Sequence, residues 1–258
     1  GNLAKIKSHF HNDWDETTCK IAAENGHLDI LKYLHENGCP WDQDAIIAAA
    51  KNGCFDCLKY LHEKECKIDD FGVWYEDIMG NGNLEILKYC VENQIIWLNA
   101  KERQKEFCLI FAMRGHLDCL KYLHDECYVP WDERTCSAAS MNGHLECLKY
   151  LHKSECPWDA MTTKYAAENG MDECLEYALK NGCPYDKRII EWAREKGRQN
   201  CAAIALNFGC EKGCHVEGEV KGFEREPVDM LNYMKMSLDG VEYKPLKKPT
   251  TNLELSVN

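Results

Sequence analysis

The sequence predicts an all-α solenoid of stacked helix–turn–helix units, and three repeating features predict it. A glycine recurs at Gly26, Gly53, Gly82, Gly115, Gly143, Gly170 and Gly197, at intervals of 27, 29, 33, 28, 27 and 27 residues. An aromatic–aspartate pair recurs as Trp14-Asp15, Trp41-Asp42, Trp131-Asp132, Trp158-Asp159 and Tyr185-Asp186. The block Ile30-Leu31-Lys32-Tyr33 returns after the next four glycines, then weakens to Cys174-Leu175-Glu176-Tyr177 and Cys201-Ala202-Ala203-Ile204. Self-similarity at a near-fixed period of this size is the signature of stacked repeats. Gly1-Asn2-Leu3 matches Gly82-Asn83-Leu84, so residues 1–210 read as half a repeat followed by seven, the last degenerate.

Residues 14–40 show why each unit becomes two short helices. Asp15 is a good N-cap, and Trp14 before it is placed to pack on Cys19 as a hydrophobic staple. The same staple is expected for Trp41 with Ile46, Trp131 with Cys136 and Tyr185 with Ile190. Ala22 and Ala23 keep the first helix thin, and Asn25-Gly26 ends it, since glycine adopts the left-handed cap conformation cheaply. Leu28, Ile30, Leu31 and Leu34 give the second helix one apolar face. Asn37-Gly38 ends that helix and Pro40 prevents its continuation. A pair this short cannot bury its own apolar face, so stability requires neighbours.

Two units are longer. Residues 68–82 carry two extra residues and the cluster Phe71, Val73, Trp74 and Tyr75. Residues 91–115 carry about six extra, including the charged run Lys101-Glu102-Arg103-Gln104-Lys105-Glu106. Insertions in solenoids map to loops, often on a binding face, although a solvated loop or a longer helix also accommodates them. From Glu211 the repeat stops. Within residues 211–258 one helix is expected over 227–238, with Met230, Leu231, Met234 and Leu238 on a face. Fully extended, this C-terminal extension reaches about 160 Å, against about 70 Å for seven stacked repeats. It can fold back along the repeats, cap the last one, or hold a partner.

The chain has 258 residues, 45% of them hydrophobic and 29% charged, a globular composition. Its formal net charge of −12 argues against nucleic acid and anionic membranes as partners. No apolar run approaches the roughly 20 residues that span a bilayer, and no signal-peptide pattern is present. Seventeen cysteines fall largely into two repeat positions: Cys57, Cys119, Cys147, Cys174 and Cys201 in one, Cys39, Cys66, Cys156, Cys183 and Cys210 in the other. Free cysteine there acts as a small buried hydrophobe, which predicts a reduced, intracellular and most simply cytoplasmic protein. The Gly1 start and the half-repeat predict a piece of a longer protein.

The segment from Gly26 to Cys39 (GHLDILKYLHENGC), with Ala22-Ala23 before it, resembles an ankyrin repeat. Two departures stand out. The Thr-Pro-Leu-His segment of that family is replaced by sequences such as Thr17-Thr18-Cys19-Lys20. The period is also about six residues shorter than the family's 33. The deficit falls where ankyrin repeats project a β-hairpin finger, so Gly38-Cys39-Pro40-Trp41-Asp42 is expected to make a tight turn. The resemblance therefore implies a protein-binding module that uses its inner helix face rather than finger tips.

No sequence feature points to catalysis, cofactor or metal. Cys54-Phe55-Asp56-Cys57 is a C-x-x-C at a helix start, but Cys54 merely replaces His27 and Cys57 replaces Ile30. The His/Cys pairs 35/39, 62/66 and 152/156 offer two ligands where structural zinc needs four. Cys210, Cys214 and His215 are the only such cluster outside the register. His27, His116 and His144 are expected to hydrogen-bond between loops. His35, His62, His124 and His152 are expected to be half-buried packing residues. No phosphate-binding glycine loop, nucleophile elbow or H-E-x-x-H occurs.

Candidate partner-binding residues are those that vary just before the turn glycine: Glu24, Lys51, Met113, Arg114, Met141, Glu168, Glu195 and Lys196. In ankyrin repeats this position faces the concave groove, and adjacent methionines would give it an adaptable apolar patch. The expected function is a non-catalytic protein–protein interaction module, monomeric alone, with a rigid groove for a protein partner. Alternatives are the recognition arm of a larger protein such as a ubiquitin-ligase adaptor, and a structural subunit anchored by its tail.

Overall fold

The computed structural model describes residues 14–68, 80–95 and 104–209. The half repeat at 1–13, the cluster at 71–75, the charged run as far as residue 103, and Cys210, Cys214 and the extension lie outside the described residues. All regular structure among the described residues is helical. The order is α1 (Glu16–Glu24), α2 (Leu28–Glu36), α3 (Gln43–Lys51), α4 (Phe55–Glu63), α5 (Leu84–Glu92), α6 (Gln104–Arg114), α7 (Leu117–Lys121, continued by a π turn at Tyr122–Glu126), α8 (Glu133–Met141), α9 (Leu145–Lys153), α10 (Ala160–Asn169), α11 (Asp172–Lys180), α12 (Ile189–Glu195) and α13 (Gln199–Asn207).

Aspartates start the first helices of the repeats. Asp15 accepts from the Thr18 amide (3.1 Å), Asp42 from Asp44 (2.9 Å), Asp132 from Arg134 (3.1 Å) and Asp159 from Met161 (2.9 Å). Each bond satisfies an amide that the helix itself leaves unpaired. The ends are equally regular. At Gly38, the Cys39 amide reaches back to the Leu34 carbonyl (2.9 Å) and the Gly38 amide to His35 (3.0 Å), a Schellman motif. Asparagines reinforce these ends: Asn25, Asn37 and Asn52 each donate a side-chain N–H to the carbonyl four residues back, at 2.7–2.9 Å.

The core runs continuously along the stack. Leu31, Leu34, Ile46, Leu58, Leu61, Ile86, Leu120, Leu123 and Leu148 are fully buried, each stabilising the fold by about 1.5–3 kcal/mol. First helices lie tightly side by side (α1 on α3, α6 on α8, α8 on α10), whereas second helices meet over fewer residues. Ala22, Ala23, Ala48, Ala49 and Ala50 permit that close approach. In α8 and α10 hydroxyls replace some alanines. Ser140 donates to the Thr162 carbonyl (2.8 Å) and Thr163 to Pro184 (2.9 Å), so the polar seam is largely satisfied.

One extra residue enters the second helix of the fourth unit. It is absorbed as the π turn Tyr122–Glu126. Val129 thereby keeps the buried place that Cys39 holds elsewhere, and Tyr128 is pushed out, 84% exposed. The left-handed cap that Gly38 and Gly182 supply is here borne by Tyr128 (φ +56°), and in other units by Glu65, Gln94 and Glu155.

Several of the turn glycines after first helices have a second role. Gly115 has φ +77°, and a Cβ there would lie 2.5 Å from the His144 ring of the next unit. Gly182, at the end of a second helix, has the same φ but open space around it. Gly182→Ala should therefore cost about 1–2 kcal/mol, for the left-handed backbone alone. Gly115→Ala should cost about 1 kcal/mol or more beyond that, because the imidazole must also move. Equilibrium unfolding in guanidinium checks the ordering.

Candidate functional site

Side chains that follow four of the turn glycines bind their units to the one before. His144 Nε2 donates to the Met113 carbonyl (3.1 Å) and His116 Nε2 to Gly80 (3.1 Å). Cys54 Sγ lies 3.5 Å from the Glu24 carbonyl, and Arg198 Nε donates to Glu168 (3.4 Å). The loop role expected for His116 and His144 is thus what the structure shows.

A second lattice joins the outer layer. His35 stacks on Trp41 (ring centroids 3.8 Å) and shares a hydrogen bond through Nδ1 with the Tyr60 hydroxyl (2.9 Å). His152 repeats this with Trp158 (4.0 Å) and Tyr177 (2.9 Å), and His62 pairs with Tyr89 (2.9 Å). The tryptophans are half-buried against the core, but their ring partners sit on second helices rather than only at the staple position. At the π turn the pattern shifts. His124 still stacks on Trp131 (3.4 Å), while Tyr150 donates to Asp125 (2.7 Å).

Thirteen of the fifteen described cysteines are buried. Cys39, Cys66, Cys156 and Cys183 each lie 3.2–3.5 Å from the carbonyl of the aspartate that starts their own unit. Burial raises Cys57 and Cys147 to about 11, and Cys66, Cys90, Cys119, Cys174 and Cys201 to about 12. Cys54 is raised by the same cause. The C-x-x-C therefore lacks the thiolate character of a redox motif. Among the described residues no group of three or more His, Cys, Asp or Glu is arranged to hold a metal ion. No helix there is long and apolar enough to cross a membrane.

The eight candidate partner-binding residues fall at the ends of first helices, on α1, α3, α6, α8, α10 and α12 and at the cap after α12. Glu24, Lys51, Arg114, Glu195 and Lys196 are exposed, while Met113, Met141 and Glu168 are half-buried. Some are engaged within the fold: Arg114 donates to the Gly80 carbonyl (3.3 Å), and Glu168 lies 4.0 Å from Lys164. The same layer holds residues that the sequence reading passed over. Five positions before the turn glycine of each described first helix stand Ile21, Ala48, Ile110, Ala138, Tyr165 and Trp192. Ile21 is 56% exposed, and Tyr165 and Trp192 are half-buried. Lys164 and Arg188 each lie 4.9 Å from the Trp192 ring. The signal available was that this column changes between small, aliphatic and aromatic residues while the next position is alanine in five of the six units.

The geometry defines a class, a solenoid of helix pairs joined edge to edge. Comparison with protein families then identifies the repeat: residues 2–72 match a model described as ankyrin repeats (3 copies), and residues 108–152 one described as ankyrin repeats (many copies). Ankyrin repeats are therefore the family of these segments, as the sequence resemblance implied. Ankyrin repeats are in general protein–protein interaction modules and typically non-catalytic. Among solved structures the chain is similar to the human ASB11 ankyrin repeat domain, at 15% identity, over 74% of this chain and 83% of that one, with a TM-score of 0.36. No curated protein matches.

The His35 ring yields a pH dependence. Burial, with Lys64 nearby, holds it below the ordinary value of 6.5, and Glu36 opposes this weakly. The folded chain then binds fewer protons at this ring than the unfolded chain does. Stability from the neutral ring is complete above about pH 6.5 and is lost as pH falls through that value toward the depressed one. The stability difference between wild type and His35→Gln should shrink between pH 7.5 and pH 5 in guanidinium titrations. A pH-independent difference would show that the ring's protonation is not coupled to folding.

Proposed function

We propose that this chain is a non-catalytic module that presents the first-helix layer as a groove to an extended or helical segment of another protein. The observation that carries this reading is the half-exposed apolar row of Met113, Met141, Tyr165 and Trp192 on successive described first helices. First helices pack more closely on one another than second helices do, which favours a stack that curves toward this row. Methionine and aromatic side chains there supply adaptable and rigid anchors respectively. The inter-unit hydrogen bonds keep the groove ordered before binding, so little conformational entropy is lost on association. The preferred partner segment carries aliphatic or aromatic anchors that pack on this row. The use of thiols as S–H donors to backbone carbonyls supports an intracellular, reducing location, and the module acts as a monomer.

Capture from a lysate of the source cells tests this with three forms of the full chain. These are wild type, Met113→Glu with Met141→Glu, and Lys149→Glu with Lys180→Glu on second helices. The groove variant should lose a partner at least about tenfold, the equivalent of 1.4 kcal/mol, while the second-helix variant retains it. Circular dichroism establishes that both variants are folded. Retention by the groove variant and loss by the other would reject the groove. A 1–210 truncation that stays folded but loses the partner would move recognition to the extension.

A further inference from the structure

Two of the units bring a pair of cysteines together at the same place. Cys19 lies in α1 seven residues before the turn glycine, and Cys39 directly follows the left-handed Gly38. Cys136 and Cys156 occupy the equivalent positions in α8 and after the left-handed Glu155. Both pairs are 20 residues apart. The Cys19 and Cys39 thiols lie close enough to influence each other, and so do those of Cys136 and Cys156. Cys136 Sγ also approaches the Cys156 carbonyl (4.0 Å). Cys39 and Cys156 each lie 3.5 Å from the carbonyl of their own unit's starting aspartate. The register supplies internal controls: opposite Cys66 and Cys183, at the same 20-residue offset, stand Ile46 and Thr163.

We propose that Cys19–Cys39 and Cys136–Cys156 are two oxidisable dithiols, each converted by a small disulfide oxidant such as oxidised glutathione into a bond that staples a first helix to the turn closing its own unit. Cys39 and Cys156, 5% and 4% exposed, attack first, since their partners are fully buried. The Cys39 thiolate displaces one glutathione thiolate and forms a mixed disulfide. The Cys19 thiolate then attacks the Cys39 sulfur, forms the intramolecular bond and expels the second glutathione. Two protons leave the protein thiols for the two glutathiones, and two electrons pass from the dithiol to the oxidant. Cys156 and Cys136 react in the same order. Burial raises Cys19 and Cys39, and the nearby Cys136 thiol together with burial raises Cys156, so reaction waits on local opening of the unit.

The test incubates the full chain with oxidised glutathione under native conditions, then quenches with acid, alkylates and maps linked peptides by mass spectrometry. Cys19–Cys39 and Cys136–Cys156 should dominate, with Cys66 and Cys183 free or carrying glutathione alone. The melting midpoint should rise by roughly 5–10 °C and return on reduction by dithiothreitol. Ile46→Cys, which recreates the pair opposite Cys66, should gain a link between position 46 and Cys66. Absence of both native links after prolonged oxidation, or links from Cys66 and Cys183 in equal abundance, overturns the proposal.

Discussion

Every other feature of this fold depends on one constraint: a unit of two nine-residue helices has too little apolar surface to fold alone. Ile30, Leu31 and Leu34 of α2 are buried only because α1, α3 and α4 share one core with them. The energetics therefore reside in contacts between units. This explains why so much polar chemistry is spent across the seams. The carbonyls of Glu24, Gly80, Met113 and Glu168 each accept from a side chain about thirty residues later in the chain. Apolar burial sets how strongly units adhere, and these directional bonds set the angle at which they do so.

Much of this was legible in the sequence because it is local. The turn glycines, the starting aspartates and the apolar face of the second helices all act within a few residues, and each stands where the spacing placed it. The contacts of the tryptophans were less legible. Trp41 sits beside Asp42 in sequence and reads as a staple, yet its ring stacks on His35, which precedes it by six residues on the other helix layer. No local rule reports that a histidine, a tryptophan and a tyrosine from two successive units will converge. The π turn was illegible for a related reason. An interval of 28 instead of 27 shows that a residue was added but not which side chain is displaced. That is settled by burial, which keeps Val129 inside and leaves Tyr128 to bear the left-handed backbone.

The surroundings of the candidate residues were only partly legible. Variation just before each turn glycine placed these residues at the ends of first helices. It did not show that Arg114 is tied to Gly80 or that Glu168 faces Lys164, because both partners are set by tertiary packing. The column of Ile21, Tyr165 and Trp192 was overlooked because tyrosine and tryptophan at a helical spacing read as core. In a solenoid one row of each first helix has no neighbour to cover it, so a large apolar residue there remains partly open.

The cysteines show how one residue type meets two demands. The carbonyl of each starting aspartate already accepts from an amide three residues on, as Asp15 does from Thr18 at 3.0 Å. Its second lone pair faces a small buried space closed by the end of the same unit. A serine there would bond that carbonyl more strongly but would bring a more polar group into an apolar seam. A valine, as at position 129, fills the space without a donor. A thiol fills the space and offers a weak S–H, at 3.2–3.5 Å in four units. The same smallness lets a second thiol approach from the first helix, in the two units where the facing residue is Cys19 or Cys136. Packing that selects cysteine for size thus creates, without any local sequence motif, sites whose chemistry differs from that of the units around them.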